Sequence, residues 1–340
     1  MTKKILITGI GGFIGSHFMD HIILNTDWEI IGIDSFRHKG ISERITHSVH
    51  YQKNKKRITI HTHDLTTPLS TILKEQIGNI NYIVNFASES HVDRSITDPV
   101  QFIENNIKLV LNILEYARTI QHLETFIQIS TDEVYGCALG KQNHKEWVTI
   151  IPSNPYSASK ASQEAIAISY WRTYNIPLII TNTMNNIGER QDPEKFVPMC
   201  IRKINAGEKI TIHGEPGKIG SRYYLHARNH ADALLFLLKN HKTSLYQHGQ
   251  NYIQKPDRYN IVGEKELNNL ELAQMIATIL KKELFYELVN FHATRPGHDL
   301  RYALDGKKIK RLKWKPPFTF KKSLKKTIRW TLEHPEWLHL

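Results

Sequence analysis

Thr8-Gly9-Ile10-Gly11-Gly12-Phe13-Ile14-Gly15-Ser16 is the stretch that decides the fold. It follows a short apolar run at 4–8 and leads into 13–24, where apolar residues recur at three- and four-residue steps, as in a helix that covers a sheet. Glycines at 9, 12 and 15 suit a tight turn, close backbone approach to a pyrophosphate and tight helix–sheet packing, with the helix N-terminus facing the anion. Asp34 closes the second apolar run about twenty residues on, where a carboxylate binds the ribose hydroxyls of adenosine and repels a 2′-phosphate. NAD is therefore expected over NADP. Asp64, after the third run, is placed to meet the adenine, although a lone aspartate there also reads as a turn residue.

Outward from that turn the chain keeps a parallel-sheet rhythm. Short β-branched runs at 29–34, 58–61, 82–86, 126–130 and 178–182 alternate with helical patterns at 99–118 and 156–174. The expected fold is α/β, a Rossmann-type doubly wound parallel sheet. After residue 185 the rhythm breaks into turn clusters at His213-Gly214-Glu215-Pro216-Gly217 and Arg295-Pro296-Gly297, with helices at 231–239 and 270–280. We read 1–184 as mainly the cofactor domain and 185–340 as mainly a smaller C-terminal substrate-binding lobe, with the chain crossing between them. Segment 35–57, rich in His, Lys and Ser, reads as a long loop.

Composition narrows the class. With 340 residues, 40% hydrophobic and 23% charged, the chain is long enough for a large buried core. Lys3 and Lys4 precede an apolar run far too short for a signal peptide or a span, so a cytoplasmic protein without a membrane segment is expected. Two cysteines, Cys137 and Cys200, give neither a disulfide framework nor a thiolate cluster, and no HExxH pattern is present, so no metal is expected. The net charge of +12 suits an anionic small molecule as well as nucleic acid or lipid. Much of it falls in 307–329, which reads as one amphipathic helix with Leu324, Ile328 and Trp330 inward and a solvated basic face. No stripe of cations interleaved with stacking aromatics is evident, so nucleic acid is not an expected partner.

Two clusters carry chemistry. Tyr156 and Lys160 stand at i and i+4 near the start of a helix and so share a face, where an ammonium and the charge of an oxidised nicotinamide favour the phenolate. Taken alone the pair also reads as two surface residues of an amphipathic helix. Ser130-Thr131-Asp132-Glu133-Val134-Tyr135-Gly136 lies at the carboxyl end of a strand, where open α/β sheets place their sites. Neighbouring carboxylates have their pKa values pushed apart and so supply a proton donor and an acceptor, as an elimination needs. The plainer alternative is a helix start decorated with acids.

The chain resembles the extended short-chain dehydrogenase/reductase family, and within it the dTDP-glucose 4,6-dehydratases. The match rests on the glycine turn, on Ala87-Ser88-Glu89-Ser90-His91-Val92-Asp93-Arg94-Ser95, on Ser130 to Gly136, and on Pro155-Tyr156-Ser157-Ala158-Ser159-Lys160-Ala161. It also includes Asn185-Asn186, Pro193-Glu194-Lys195 and Arg295-Pro296-Gly297-His298-Asp299. The Thr-Asp-Glu triplet is what points to dehydration, because epimerases of the family share the turn and the YxxxK pair but typically lack it.

The resemblance implies that Tyr156 takes the sugar 4-hydroxyl proton, with Lys160 sustaining the phenolate and Thr131 bonded to the 4-oxygen. Glu133 then removes the C5 proton, Asp132 protonates the departing 6-hydroxyl, and the hydride lent at C4 returns at C6. It implies NAD contacts for Gly9, Gly12, Phe13, Ile14, Gly15, Asp34, Asp64, Leu65, Ala87, Ser130, Tyr156, Lys160 and Asn186. It implies nucleotide-sugar contacts for Ser88, Glu89, His91, Asn185, Lys195, Phe196, Thr211, His213, Arg222, Arg295 and His298, and a homodimer through helices 99–118 and 156–174.

The match frays around the base. Thr211-Ile212-His213, Gly263-Glu264-Lys265-Glu266 and Leu109-Val110 depart from the usual pattern, and Asn182 and Ile187 replace the usual Arg and Tyr beside the paired asparagines. A UDP-sugar dehydratase, a 4-epimerase and a non-catalytic NAD-binding protein stand as rivals.

Overall fold

The computed structural model describes residues 2–37, 39–250, 252, 254–290 and 299–339. Its centre is a seven-stranded parallel sheet of β1 (Lys4–Thr8), β2 (Glu29–Asp34), β3 (Ile58–Thr62), β4 (Tyr82–Asn85), β5 (Thr125–Thr131), β6 (Leu178–Thr183) and a late strand, Asp257–Ile261. Strands β4, β5 and β6 are buried at every position, as a sheet covered on both faces requires. The order runs β3-β2-β1-β4-β5-β6 and then the late strand, so the direction of winding reverses between β1 and β4. That reversal opens a crevice at the strands' carboxyl ends. The fold is α/β and Rossmann-type, as the alternation of runs predicts.

The covering helices are α1 (Phe13–Asn25), α2 (Glu43–Thr46), α3 (Val49–Asn54), α4 (Thr71–Ile77), α5 (Val92–Thr97), α6 (Pro99–Ala117) and α7 (Pro155–Tyr174). Asp98 caps α6 ahead of Pro99, and Asn154 with Ser157 forms a capping box that fixes where α7 begins. Tyr156 is thereby held in the first turn of its helix.

The rest of the chain contains β7 (Asn185–Ile187), α8 (Phe196–Asn205), β8 (Ile210–Glu215), β9 (Lys218–Ile219), β10 (Ser221–His226) and α9 (Ala227–Asn240). After β11, the late strand already given, come β12 (Glu266–Asn268), α10 (Asn269–Leu280), β13 (Tyr286–Val289), β14 (Arg301–Tyr302), α11 (Lys307–Arg311) and α12 (Phe320–Glu333). Two of these elements return to the first body. Strand β11 pairs with β6, and Ala231, Leu234 and Leu238 of α9 share a core with Phe18 and Ile22 of α1. A separate core of Ile201, Ile212, Leu272, Ile276 and Leu324 holds the lobe itself.

Three expectations need correction. Segment 35–57 is not one loop, because α2, α3 and a 3-10 turn at Lys55–Arg57 occupy its second half. Ser48 caps α3, and Arg44 is buried, donating to Gly11 O at 3.3 Å and Arg190 O at 2.9 Å. The basic stretch 307–329 is two helices, since the first ends at Arg311, with Lys313 beyond it at a φ of +70°, and Thr319 caps the second. Leu324 and Ile328 do face inward. Helix α9 starts at Ala227, four residues before the expected 231, because the His226 ring accepts from Arg228 N at 3.0 Å. No helix among the described residues is long and apolar enough to cross a membrane.

Candidate active site

A cleft of about 670 Å³ opens over the carboxyl ends of β1, β4, β5 and β6. At its floor, Gly9 takes a φ of +67°, and a side chain on Gly15 would sit 2.2 Å from Gly9 O, so neither position admits another residue. Helix α1 starts at Gly12 with no side-chain cap and no acid in its first turn. Its free N–H groups and positive dipole end are thus left for an anion. Asp34 accepts from Gly11 N at 2.8 Å and Phe36 N at 2.9 Å, and burial raises its pKa while those N–H groups oppose the rise. A carboxylate has about four acceptor sites, so two remain for ribose hydroxyls. Asp64 lines the same cleft, where it pairs with Arg37 at 2.6 Å. These residues fit a dinucleotide.

Strand β5 ends at Thr131 and turns into a 3-10 segment, Asp132–Tyr135. The turn aligns the two acids differently. Thr131 Oγ1 donates to Asp132 Oδ1 at 3.0 Å, while Asp132 Oδ2 is buried without a partner. Burial, then the Glu133 charge, pushes Asp132 up to about 7. Glu133 is also raised by burial, but Arg222, Asn154 and Lys195 all oppose the shift. Asp132 is therefore the acid kept protonated near neutrality, and Glu133 has cations and a donor that favour its carboxylate.

Across from them, burial raises Tyr156 far above a normal phenol, and Glu133 adds to the rise, while a hydrogen bond with Thr131 opposes it. Burial pushes Lys160 down to about 7, with Glu164 opposing. Its ammonium donates to Ile129 O at 2.8 Å and to Gln163 Oε1 at 2.7 Å. The lowering of Tyr156 by Lys160 that the spacing predicts is thus not among the interactions the chain itself makes; burial dominates.

The cleft brings together nearly all the expected residues. Gly9, Gly12, Phe13, Ile14, Gly15, Asp34, Asp64, Leu65, Ala87, Ser130, Thr131, Asp132, Glu133, Tyr156, Lys160 and Asn186 line it. So do Ser88, Glu89, His91, Asn185, Lys195 and Phe196. Glu89 pairs with Arg94 at 2.9 Å, and His91 Nε2 with Glu194 at 2.8 Å. Three residues stand off its walls. Thr211 bonds Glu287 at 3.3 Å on the strand β8, which also carries His213, and Arg222 is buried with its guanidinium 5.0 Å over the Tyr302 ring. Arg222 nonetheless acts on both acids through its charge. Arg295 and His298 lie outside the described residues.

Sequence reading missed several contributors. Lys39, Arg44, Asn105 and Glu194 line the cleft, and only their proximity in the fold reveals them. Arg258 is another. Asn182, standing where the family usually has Arg, donates to Glu164 Oε1 at 2.8 Å, and Arg258 of β11 reaches Glu164 Oε2 at 2.6 Å. Asn182 and Arg258, on neighbouring strands, thus share one buried carboxylate. Two HxxxH pairs, His17 with His21 and His226 with His230, also occur. No group of three or more His, Cys, Asp or Glu among the described residues is placed to hold a metal.

The model of the family described as GDP-mannose 4,6 dehydratase matches residues 6–327. A dTDP-glucose 4,6-dehydratase of Escherichia coli is 36% identical, over 98% of this chain and 95% of its own. One from Salmonella typhimurium is 35% identical over 99% and 94%. The crystal structure of DesIV, a dTDP-glucose 4,6-dehydratase from Streptomyces venezuelae with NAD and TYD bound, aligns with a TM-score of 0.85 at 30% identity, covering 98% of both chains. A UDP-glucuronic acid 4-epimerase from Bacillus cereus with NAD shares the fold, with a TM-score of 0.83 at 24% identity.

Proposed function

The chain belongs to the GDP-mannose 4,6 dehydratase family, and from that premise we propose that it is an NAD-dependent lyase, a nucleotide-sugar 4,6-dehydratase. It converts a dTDP- or UDP-linked glucose to the 4-keto-6-deoxy sugar. The observation that carries this reading is the pair Asp132 and Glu133, one acid held near 7 and the other facing cations, in the cleft that also holds Tyr156. An epimerase needs only Tyr156 and Lys160.

NAD, bound over the glycine turn, supplies a reversible hydride acceptor. Tyr156 removes the proton of the 4-hydroxyl as C4 is oxidised, and Thr131, bonded to the tyrosine hydroxyl, also holds the 4-oxygen. The new ketone acidifies C5–H, and Glu133 takes that proton. Asp132 gives its proton to the 6-hydroxyl, which leaves as water; the hydride taken from C4 is returned to C6 while Glu133 returns its proton to C5, and the proton held by Tyr156 restores Asp132, so that the cycle closes with no net oxidation. Lys195, Asn185 and Arg222 serve the diphosphate and the sugar, the arginine by its field.

Two further parts belong to the proposal. Residues 1–184 chiefly serve the cofactor and 185–340 the nucleotide sugar, with α9 and β11 returning to the first body. The enzyme works in the cytoplasm, where Cys137 and Cys200 stay free, as a homodimer joined through α6 and α7. The test is incubation with dTDP-glucose, UDP-glucose and UDP-N-acetylglucosamine, with products identified by mass and NMR. A 4-keto-6-deoxy product from one of them supports the reading; an epimer, or no turnover of any, overturns it.

A further inference from the structure

Between the glycine turn and Lys160 runs a line of buried polar side chains that the mechanism above does not use. Thr8, Asn85, Gln128 and Gln163 are each fully buried, on β1, β4, β5 and α7 in turn. Thr8 Oγ1 donates to Asn85 Oδ1 at 2.5 Å, Asn85 Nδ2 to Gln128 Oε1 at 2.8 Å, and Gln128 Nε2 to Gln163 Oε1 at 3.2 Å. Lys160 Nζ donates to that same Gln163 oxygen at 2.7 Å. Three adjacent strands thus contribute amide or hydroxyl groups to the buried interior of the sheet, where an unpaired polar group is costly.

The ends of the line fix its polarity. Gln163 Nε2 donates to the backbone carbonyl of Asn106 at 2.8 Å, so the side-chain oxygen must face the other way, toward Gln128 and Lys160. Gln128 then has to present its nitrogen to Gln163, which also donates to Ile129 O at 3.1 Å, and its oxygen to Asn85. At the far end the backbone N–H of Ala87, a residue of the cleft wall, donates to Thr8 Oγ1 at 3.2 Å. Reversing Gln128 or Gln163 would set like atoms against each other at both of its neighbours, and reversing Asn85 would do so at Gln128.

We propose that Gln163 is a positioning residue for Lys160, and that the relay Thr8–Asn85–Gln128 locks it so that it always offers the lysine an oxygen. An oxygen at that distance favours the ammonium over the neutral amine. It also uses one of the three ammonium protons, and Ile129 O uses another, which leaves the third for the cleft. Burial pushes Lys160 down to about 7 against the opposing charge of Glu164, so an acceptor fixed at 2.7 Å bears on the charge of the lysine near neutral pH.

The surroundings supply few other charges. On α7 these are Tyr156 and Glu164, the latter neutralised by Arg258 of β11 at 2.6 Å. The turn after β5 brings Asp132 and Glu133, and α5 brings Asp93 and Arg94, with Arg94 paired to Glu89. The packed strands β5 and β6 carry no titratable side chain, and α6 faces this region with Asn105 and Asn106.

The catalytic meaning of this device rests on the function proposed above, but its test does not need a substrate. Lysine labelled with ¹³C at Cε is titrated by NMR in the cofactor-loaded protein, with the Lys160 signal assigned through Lys160→Arg. Gln163→Leu should lower the Lys160 midpoint by about one pH unit, the scale of one lost bond to a charged group. Gln163→Glu, of the same shape, should raise it, and Gln128→Leu should lower it by less than Gln163→Leu. Opposite shifts in the first two variants carry the proposal; no shift, or shifts of one sign, overturn it. A wild type that turns over no nucleotide sugar sinks the function and leaves this titration standing. If Gln163→Leu does not fold, the isosteric Gln163→Glu still decides by its sign.

Discussion

The two walls of the cleft are held in different ways. On the sheet side, Thr131, Asp132 and Lys160 are each less than a tenth exposed, and hydrogen bonds fix them to one another or to the main chain. On the lobe side, Glu194 and Asn185 are exposed, and the polar contacts at the rim include Lys39 with Asp192 at 2.9 Å and with Glu194 at 3.3 Å, and His91 Nε2 with Glu194 at 2.8 Å. Groups that move protons must be preset to within a fraction of an ångström, whereas groups that grip a diphosphate need only reach it. The wall to which the proposed mechanism assigns the proton transfers is thus the more buried and the more firmly hydrogen-bonded one.

The largest effects should follow from substitutions on the sheet side. Glu133→Gln should lower product formation by about 10³-fold, within the range for a lost general base, while the bound cofactor is still reduced on addition of substrate. Absorbance of the reduced nicotinamide under single turnover reads the first step, and product NMR reads the second. If both steps fall together, Glu133 is not the base at C5, and the division of labour between the two acids is wrong.

Asp132 should set the alkaline side of the pH profile. Its proton is held by burial and by the Glu133 charge up to about pH 7, so the elimination should slow as pH rises through that value. Asp132→Asn should abolish that limb and lower kcat by about 10²-fold, with KM little changed. A profile that keeps the same limb in the variant would assign it to another group.

On the lobe side a different signature is expected. Lys195→Met should raise KM by about 10- to 100-fold, the scale of one charge-assisted bond to phosphate, and leave kcat within a few-fold of wild type. Equal losses in kcat and kcat/KM would show that this wall, too, is preset for the transition state.

How much of this was legible in the sequence follows the same division. The glycine turn, Asp34, and the Tyr156–Lys160 pair act through local spacing, and local spacing is what a sequence displays. The sheet came with them, since central strands buried on both faces read as unbroken apolar runs. What the sequence hid is long-range. Arg258 serves Glu164 from a strand ninety-four positions later, and Lys39 meets Asp192 across the cleft. Nothing local marks Gln163 on its helix, because its partners Gln128 and Asn106 come from other elements. Segment 35–57 was misread for a related reason: short helices such as α2 and α3 have too few turns for a periodic signal, and Arg44 is fixed by carbonyls at 11 and 190.

The smallest expected effect tests the bridge between the walls. Lys39 is more than half exposed, and so is an ordinary surface cation by its solvation, yet it faces two carboxylates of the opposite wall at the rim of the cofactor cleft. Exposed pairs of this kind contribute roughly 0.2–1 kcal/mol each and are screened by salt. Lys39→Ala removes two of them and should therefore speed release of bound NAD by about fivefold, which is what about 0.5 kcal/mol from each allows. Raising salt should speed release from the wild type toward the rate of the variant and leave the variant almost unchanged, as followed by loss of cofactor on dilution. A variant that releases NAD at the wild-type rate in low salt would mean that the ion pairs merely decorate the rim. The cofactor would then be retained by the sheet-side wall alone, and the lobe would serve the nucleotide sugar only.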